Sequence, residues 1–244
     1  MKVTYVHSIR EYLDLVQGFF DGTWLFRGIA RSDWALVPSI GRMRWAVDYS
    51  EYDEKETFNW FKARARRCIS IPPNNDWEWL ALAQHHQLPT RLLDWSESPL
   101  VAAFFATLGW NGGVPRYMSP GPQNPGSSEE SAVYVAELTG AFDVADADQD
   151  PFEVKTVEFF QPSHVSPRLH SQLGVFSIHP NPTVPYQSPN IQKIVIAADQ
   201  RLNFQIHLDT LGFSRATMFP DIDGLAQQLG WRYWVMDKRE DAVE

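Results

Sequence analysis

Two stretches of this chain concentrate side chains that can do chemistry. The first is Phe26-Arg27-Gly28, which sets a guanidinium inside an otherwise apolar, strand-like run. An arginine there must be paired or must face a cleft, because an unpaired buried charge costs several kcal/mol. Its fork suits a phosphate or a carboxylate, and Asp94 is a carboxylate that can answer it. Gly28 permits the close approach of a backbone or a ligand. The second stretch runs from Gln84 through His85, His86, Thr90, Arg91, Asp94 and Trp95 to Ser96. It gathers amides, imidazoles, a guanidinium, a carboxylate and a hydroxyl around one turn. Such a set serves equally as a satisfied polar network that fixes a junction or as a binding site.

Other chemistries find little support. There is no phosphate-binding GxxxxGK loop, no GxGxxG, no HExxH and no GxSxG. His85 and His86 are neighbours on a helix and point about 100° apart, so they do not chelate together, and no metal is expected. Cys68 is the single cysteine, which excludes a disulfide framework and multi-cysteine zinc sites and suits a reducing, cytoplasmic setting. Lys62, Arg64, Arg66 and Arg67 read as a solvated helix more readily than as an RNA-facing patch. The formal net charge of −9 argues against bulk attraction to nucleic acid or anionic membrane. That excess is carried mostly by residues 111–244, so the first half retains room for a local anion site.

The elements that must position these groups follow from patterning. At 244 residues, 44% hydrophobic and 21% charged, the chain reads as one globular domain, residues 1–244. Ser8-Ile9-Arg10-Glu11 reads as a capping box opening a helix over 8–20. A strand is expected at 23–29 and helices at 51–70 and from Asn75 or Asp76 to His86. Ser98-Pro99 opens a helix that is apolar nearly all round and therefore buried. Residues 111–131, with four Gly and four Pro, read as a flexible surface insertion. Strands are expected at 132–138, 153–160, 174–179 and 190–197, then helices at 199–211 and 221–230. The mixed order argues for an α+β fold, a mixed or antiparallel central sheet flanked by helices. No apolar run reaches ~18 residues, so no membrane span is expected. The start, MKVTYVHSIREYL, has no apolar signal core.

Four blocks of this sequence resemble the FRG domain family, named for its Phe/Tyr-Arg-Gly motif. They are Phe26-Arg27-Gly28 with Trp34 and Pro38-Ser39; Gln84-His85-His86 through Leu88-Pro89-Thr90-Arg91-Leu92-Leu93-Asp94-Trp95; Arg168-Leu169 with Gln172, Gly174 and Phe176; and Phe219-Pro220-Asp221-Ile222-Asp223-Gly224-Leu225. A more distant similarity points to the Arg-Ser-Glu class of ADP-ribosyltransferases. Phe26-Arg27-Gly28 is similar to that class's Arg motif. Leu93-Asp94-Trp95-Ser96, followed by Pro99 to Ala106, resembles its Ser-bearing strand and the helix after it.

That resemblance implies NAD as a substrate and either transfer of ADP-ribose to a macromolecular acceptor, protein or nucleic acid, or simple hydrolysis of NAD by an NAD glycohydrolase. It further implies a toxin-like effector of bacterial conflict or phage defence, with an antitoxin or another defence component as partner. The implied catalytic set is Arg27, Ser96, Gln172 and Glu158. Phe26, Gly28, His85, His86, Arg91, Asp94, Trp95 and Arg168 are the implied ligand-binding residues. The chemistry needs a cation for the pyrophosphate, an aromatic wall (Trp24, Phe26 or Trp95) for nicotinamide, and an acceptor at the ribose. The block around Gln172 offers an amide where the class has a glutamate. Glu158 is the nearest carboxylate in strand-like context, with Glu137 and Glu153 behind it. Two other readings stand beside the transferase: a non-catalytic nucleotide-binding sensor and a nucleic-acid-processing enzyme on the same scaffold.

Overall fold

The computed structural model describes residues 1–42, 49–108, 129–138, 141–143, 149–162 and 174–240. Most of the Gly/Pro-rich insertion, and Arg168 and Gln172, lie outside the described residues. The strands are β1 (Lys2–Val6), β2 (Trp24–Ile29), β3 (Leu92–Ser96), β4 (Ser131–Glu137), β5 (Ala141–Asp143), β6 (Glu158–Gln161), β7 (Gly174–Ile178) and β8 (Gln192–Ile196). They form one sheet in the order β1-β8-β4-β2-β3-β7-β6-β5. The β1–β8 and β5–β6 pairs are parallel and the others antiparallel, so the fold is α+β with a mixed sheet. The helices are α1 (Ile9–Val16), α2 (Glu51–Ala65), α3 (Asp76–His85), α4 (Pro99–Thr107), α5 (Arg201–Thr210), α6 (Arg215–Met218) and α7 (Ile222–Glu240).

Strand alternation divides the apolar residues between two faces. On one face Phe26, Val133, Val135 and Ile194 pack against α1, α4 and α5. Further along that face, Leu92, Phe160, Phe176 and Ile178 pack against α2 and α3. The opposite face, with Leu25, Ile29, Leu93, Trp95, Tyr134 and Val175, is covered by Leu36, Ile191 and the half-buried Trp34 and Tyr186 from loops. The sheet is thus two ladders. Between them, β2 and β3 share the single register pair Phe26↔Ser96.

Helix α4 is apolar all round because it lies across β2 and β4 and is itself covered by α5. Ser98 caps it, accepting from the Val101 N–H, and Pro99 occupies its first turn. At α1, Ser8 accepts from the Glu11 N–H. The Glu11 carboxylate reaches the His7 N–H, one residue before its usual place in a capping box.

Several boundaries differ from the sequence pattern. Lys2–Val6 is a strand, stabilised by parallel pairing with a segment at the far end of the chain. The stretch expected to be a strand over 153–160 pairs only from Glu158, because Asp150 and the turn after it hold Phe152 and Val154 as plugs in the α2–α3 core. The last helix continues to Glu240.

Gly28 has a structural reason to be glycine. A Cβ there would lie 2.0 Å from the Ala102 carbonyl oxygen and 2.5 Å from the Ala106 nitrogen, both backbone atoms of α4. The close approach it permits is that of α4, not of a ligand. Gly28→Ala should therefore push α4 off β2 and cost about 1–3 kcal/mol or more, as overpacking does. Urea unfolding of the purified variant checks this, and wild-type stability would show that α4 moves freely.

Candidate functional site

The site lies where β2 and β3 part. Arg27 leaves β2 on the loop-covered face, and its side chain is 13% exposed. Its Nη1 donates to the Asp94 carbonyl oxygen at 2.5 Å and to Asp94 Oδ2 at 3.2 Å. The guanidinium thus bridges the two ladders beyond their single register pair. Its Nε N–H is buried and has no partner among the described residues. A buried donor left in that state costs roughly 1–3 kcal/mol.

Asp94 is held from its other side. Gln84, in the last turn of α3, donates from Nε2 to Asp94 Oδ2 at 2.8 Å. Thr90 donates to Gln84 Oε1 at 2.6 Å, which fixes the orientation of that amide. Ser39 accepts from the Thr90 N–H at 3.1 Å, and the Ile40 N–H donates to the Thr90 carbonyl at 3.3 Å. These bonds dock the short turn Ile40–Arg42 onto the network. Gly41 lets that turn press against Pro182, whose carbonyl oxygen would sit 1.9 Å from an added Cβ. The Asp94 carboxylate stays about half exposed.

The docked turn brings a second guanidinium. Arg42 feels the charges of both Arg27 and Asp94 and lies over the Trp34 ring, 6.0 Å from its centroid. Crowding by protein, then repulsion from Arg27, lower its pKa to about 10, so it stays charged at neutral pH.

Behind Arg27 is a neutral cluster. Trp95 Nε1 donates to Ser177 Oγ at 2.8 Å, and Ser177 Oγ lies 2.9 Å from His179 Nε2. Ser177 Oγ has two lone pairs, so the direction of its bond to His179 follows the tautomer of the ring. Burial, then the Arg27 charge, lower the His179 pKa to about 4.

Of the residues singled out from sequence, Arg27, Asp94, Gln84 and Thr90 form one connected network. The other described ones have different work. Phe26 is 1% exposed and packs edge-on against Phe19. Trp95 is 2% exposed, so neither is an open aromatic wall, and half-buried Trp24 also packs on Phe19. Ser96 is 5% exposed, and its hydroxyl accepts from the Ser98 N–H at the strand-to-helix junction. Arg91 is fully buried: Nε and Nη2 bind Glu54, Nη2 also bonds Tyr49, and the guanidinium lies over Phe152. It is a core ion pair tying α2 to the sheet and is not a ligand-binding group.

Glu158 begins β6, with β3 and β7 between it and β2. Strand spacing puts it about 14 Å from β2. Its register partner is Ile178, so it belongs to the α2–α3 face and not to the face Arg27 leaves. Of the weaker carboxylates, Glu137 accepts from Asn190 and Glu153 pairs with Lys55. His85 and His86 follow Gln84 directly, their rings edge-to-face at 4.8 Å. No group of three or more His, Cys, Asp or Glu among the described residues could hold a metal ion. No helix among them is long and apolar enough to cross a membrane.

The sequence reading missed Arg42 and His179. Arg42 left a faint signal, a glycine-containing turn after Pro38-Ser39. His179 left none, because only the β3–β7 register carries it behind Arg27.

Two stability predictions follow from the geometry. Arg91→Ala leaves Glu54 uncompensated in the core and should cost about 3–5 kcal/mol in urea unfolding. A near-neutral result would refute the structural role. His179 gives a pH dependence. The unfolded chain takes up its proton below about pH 6.5, the folded chain only near pH 4. Stability should fall as pH drops through that window, by roughly 2–3 kcal/mol from this residue. His179→Gln should show a correspondingly smaller loss between pH 7 and pH 4.5. Equal losses in the two proteins would contradict the depressed value.

Residues 22–111 match the model of the FRG domain family. No curated protein and no solved structure matches the chain. The matched segment runs from the turn before β2 past the end of α4 and contains Arg27, Ser39, Arg42, Gln84, Thr90 and Asp94. Over residues 22–111 the chain is thus similar to an FRG domain, and the arginine of the Phe-Arg-Gly motif that names that family, Arg27, is the centre of this network.

Proposed function

We propose that this chain binds a nucleotide through its phosphates at Arg27 and Arg42, with NAD as the ligand that the sequence resemblance implies. The observation that carries this reading is the buried, unpartnered Nε of Arg27 beside a second, charged guanidinium. A phosphate oxygen accepting from Nε would satisfy that donor, and charge-assisted bonds of this kind contribute about 1.5–3 kcal/mol each. Asp94 would hold Arg27 at the right angle while neutralising part of its charge. Such a module serves as a nucleotide sensor.

A second reading, ADP-ribosyl transfer to a protein or nucleic acid in a conflict or defence system, draws on the half-exposed carboxylate of Asp94. Stabilising a ribosyl cation needs a fixed negative group, worth about 3–4 kcal/mol where one is preorganised. Asp94 and Glu158 share a sheet face, but Asp94 is the one that touches Arg27, so among the described residues that work would fall to Asp94. Its bonds to Arg27 and Gln84 leave it a weak electrostatic partner.

Calorimetric titration with NAD and with ADP-ribose tests the binding. Arg42→Ala should weaken it tenfold or more. Arg27→Lys, which keeps the charge and loses the fork, should do the same. Wild-type affinity in both variants, each folded, would refute the site. Incubation with NAD labelled on its adenylate part, together with lysate and total RNA, separates the readings. NAD recovered intact supports the sensor, and label on a macromolecule that is lost in Arg27→Lys supports transfer.

A further inference from the structure

The second half of α2 carries a surface that the Arg27 network does not use. Between Glu56 and Asp76 the chain has no acidic residue and four basic ones, Lys62, Arg64, Arg66 and Arg67. Lys62 is spent, because its Nζ binds Asp76 and lies over the Phe58 ring. The three arginines are exposed, and none has a carboxylate partner among the described residues. Helix polarity favours cations at this end, so charge alone would describe a solvated helix terminus.

Trp60 changes that reading. It stands one turn before Arg64 and is the one exposed tryptophan among the described residues, at 57%. The Arg64 guanidinium lies over its ring, 5.0 Å from the centroid. A ring backed by one guanidinium and still this open offers its other face to solvent. An indole left in water forgoes one of the largest burials a side chain can make. The winding continues past Ala65, where the Arg67 N–H donates to the Arg64 carbonyl at 3.3 Å and the Cys68 N–H to that of Ala65 at 2.8 Å. Positions 60, 64 and 67 therefore line one side, with Arg66 beside them. The surface is about 10 Å long.

We infer that this side of α2 binds single-stranded nucleic acid, with a base stacked on Trp60 and phosphates held by Arg64, Arg66 and Arg67. An indole face accepts any base, because every base has a π face, but the base must not already be stacked in a duplex. Guanidinium forks match phosphate oxygens. At roughly 3.4 Å per phosphate along one strand, the surface spans about three phosphates. Other anionic partners match it less well. A helix that lies on a membrane needs a continuous apolar face, and the exposed neighbours of Trp60 on α2 include Glu56, Thr57, Asn59 and Ala63. An acidic peptide would answer the arginines but has nothing flat to lay on the indole. The net charge of −9 does not forbid the contact, since salt screens distant charge beyond about 8–10 Å.

Fluorescence anisotropy with a short, unstructured, labelled RNA strand tests this. The wild type should bind, and binding should weaken roughly fifteenfold between about 50 and 200 mM salt, as three phosphate contacts on a single strand require. Trp60→Ala should weaken binding about fivefold or more without changing that salt dependence, and Trp60→Phe should recover most of the loss. Arg66→Gln combined with Arg67→Gln should flatten the salt effect to roughly threefold. These side chains are exposed, so the urea midpoint should stay at the wild-type value in every variant. Arg27→Lys, altered on the opposite face of the sheet, should bind the strand as the wild type does, so the outcome is separate from that of the NAD titration. No binding by the wild type at about 50 mM salt would overturn the inference, as would equal affinity in Trp60→Ala. Equal displacement of the strand by an oligoglutamate or by phosphatidylserine vesicles would overturn it in favour of an acidic peptide or a membrane surface.

Discussion

The contact on which the rest of this structure depends is the bond from Arg27 to Asp94. The sheet is built as two ladders, β1-β8-β4-β2 and β3-β7-β6-β5, whose inner strands share one register pair. Each ladder has its own helical core, one under α1, α4 and α5 and the other under α2 and α3. Left to backbone pairing alone, the seam would be the weakest line in the molecule. Three devices close it. Arg27 reaches across to both the backbone and the carboxylate of Asp94. Helix α4, entered directly from β3 through Ser96 and Ser98, lies back over β2 at Gly28. On the other face Leu25, Ile29, Leu93 and Trp95 form one apolar layer continuous across the seam.

A seam closed by side chains differs from one closed by a ladder. It leaves space between the strands for polar groups, and it collects them from both sides. Arg27 comes from β2, Asp94 from β3, Gln84 from α3 and Arg42 from a turn docked on Thr90. Sequence motifs far apart in the chain are therefore parts of one network. The two motif arginines show how burial decides role. Arg91 meets a buried carboxylate and a tyrosine hydroxyl under a phenyl ring, so its charge is spent inside the core. Each keeps one buried N–H, Nη1 of Arg91 and Nε of Arg27, with no partner among the described residues, but Arg27 meets a half-exposed carboxylate. The first holds the fold, and the second both holds the seam and retains capacity for an anion.

Local signals in the sequence carried much of this. Ser98-Pro99 marked the start of α4 because capping chemistry acts within one turn. The apolar run after it marked burial because no face was left for water. Arg27 in an apolar strand demanded a partner, and Asp94 was within reach of that logic. What stayed hidden depends on register. Glu158 reads as a strand carboxylate, yet its pairing with Ile178 fixes which face it joins, and one residue of slip would reverse that. Trp95 and Phe26 read as free aromatics, but each alternation along β2 and β3 sends a ring into a core. Strand β1 is invisible locally because its partner β8 is supplied from the far end of the chain. Gly28 was legible as a close approach, while the identity of what approaches needed α4 to be placed.

The charge of the chain bears on how such a site would work. With a net charge of −9 the protein as a whole repels anions, and salt screens that repulsion over roughly 8–10 Å. Long-range steering therefore cannot be what favours a phosphate here. Selectivity must come at contact distance, from donors already desolvated and aimed before the ligand arrives. The buried Nε of Arg27 meets that description, and Arg42, on the turn docked at Thr90, adds a second, exposed charge. A site of this design admits anions slowly and discriminates among them by geometry. That behaviour suits a ligand present at high concentration in the cell better than a scarce one that must be captured on first encounter.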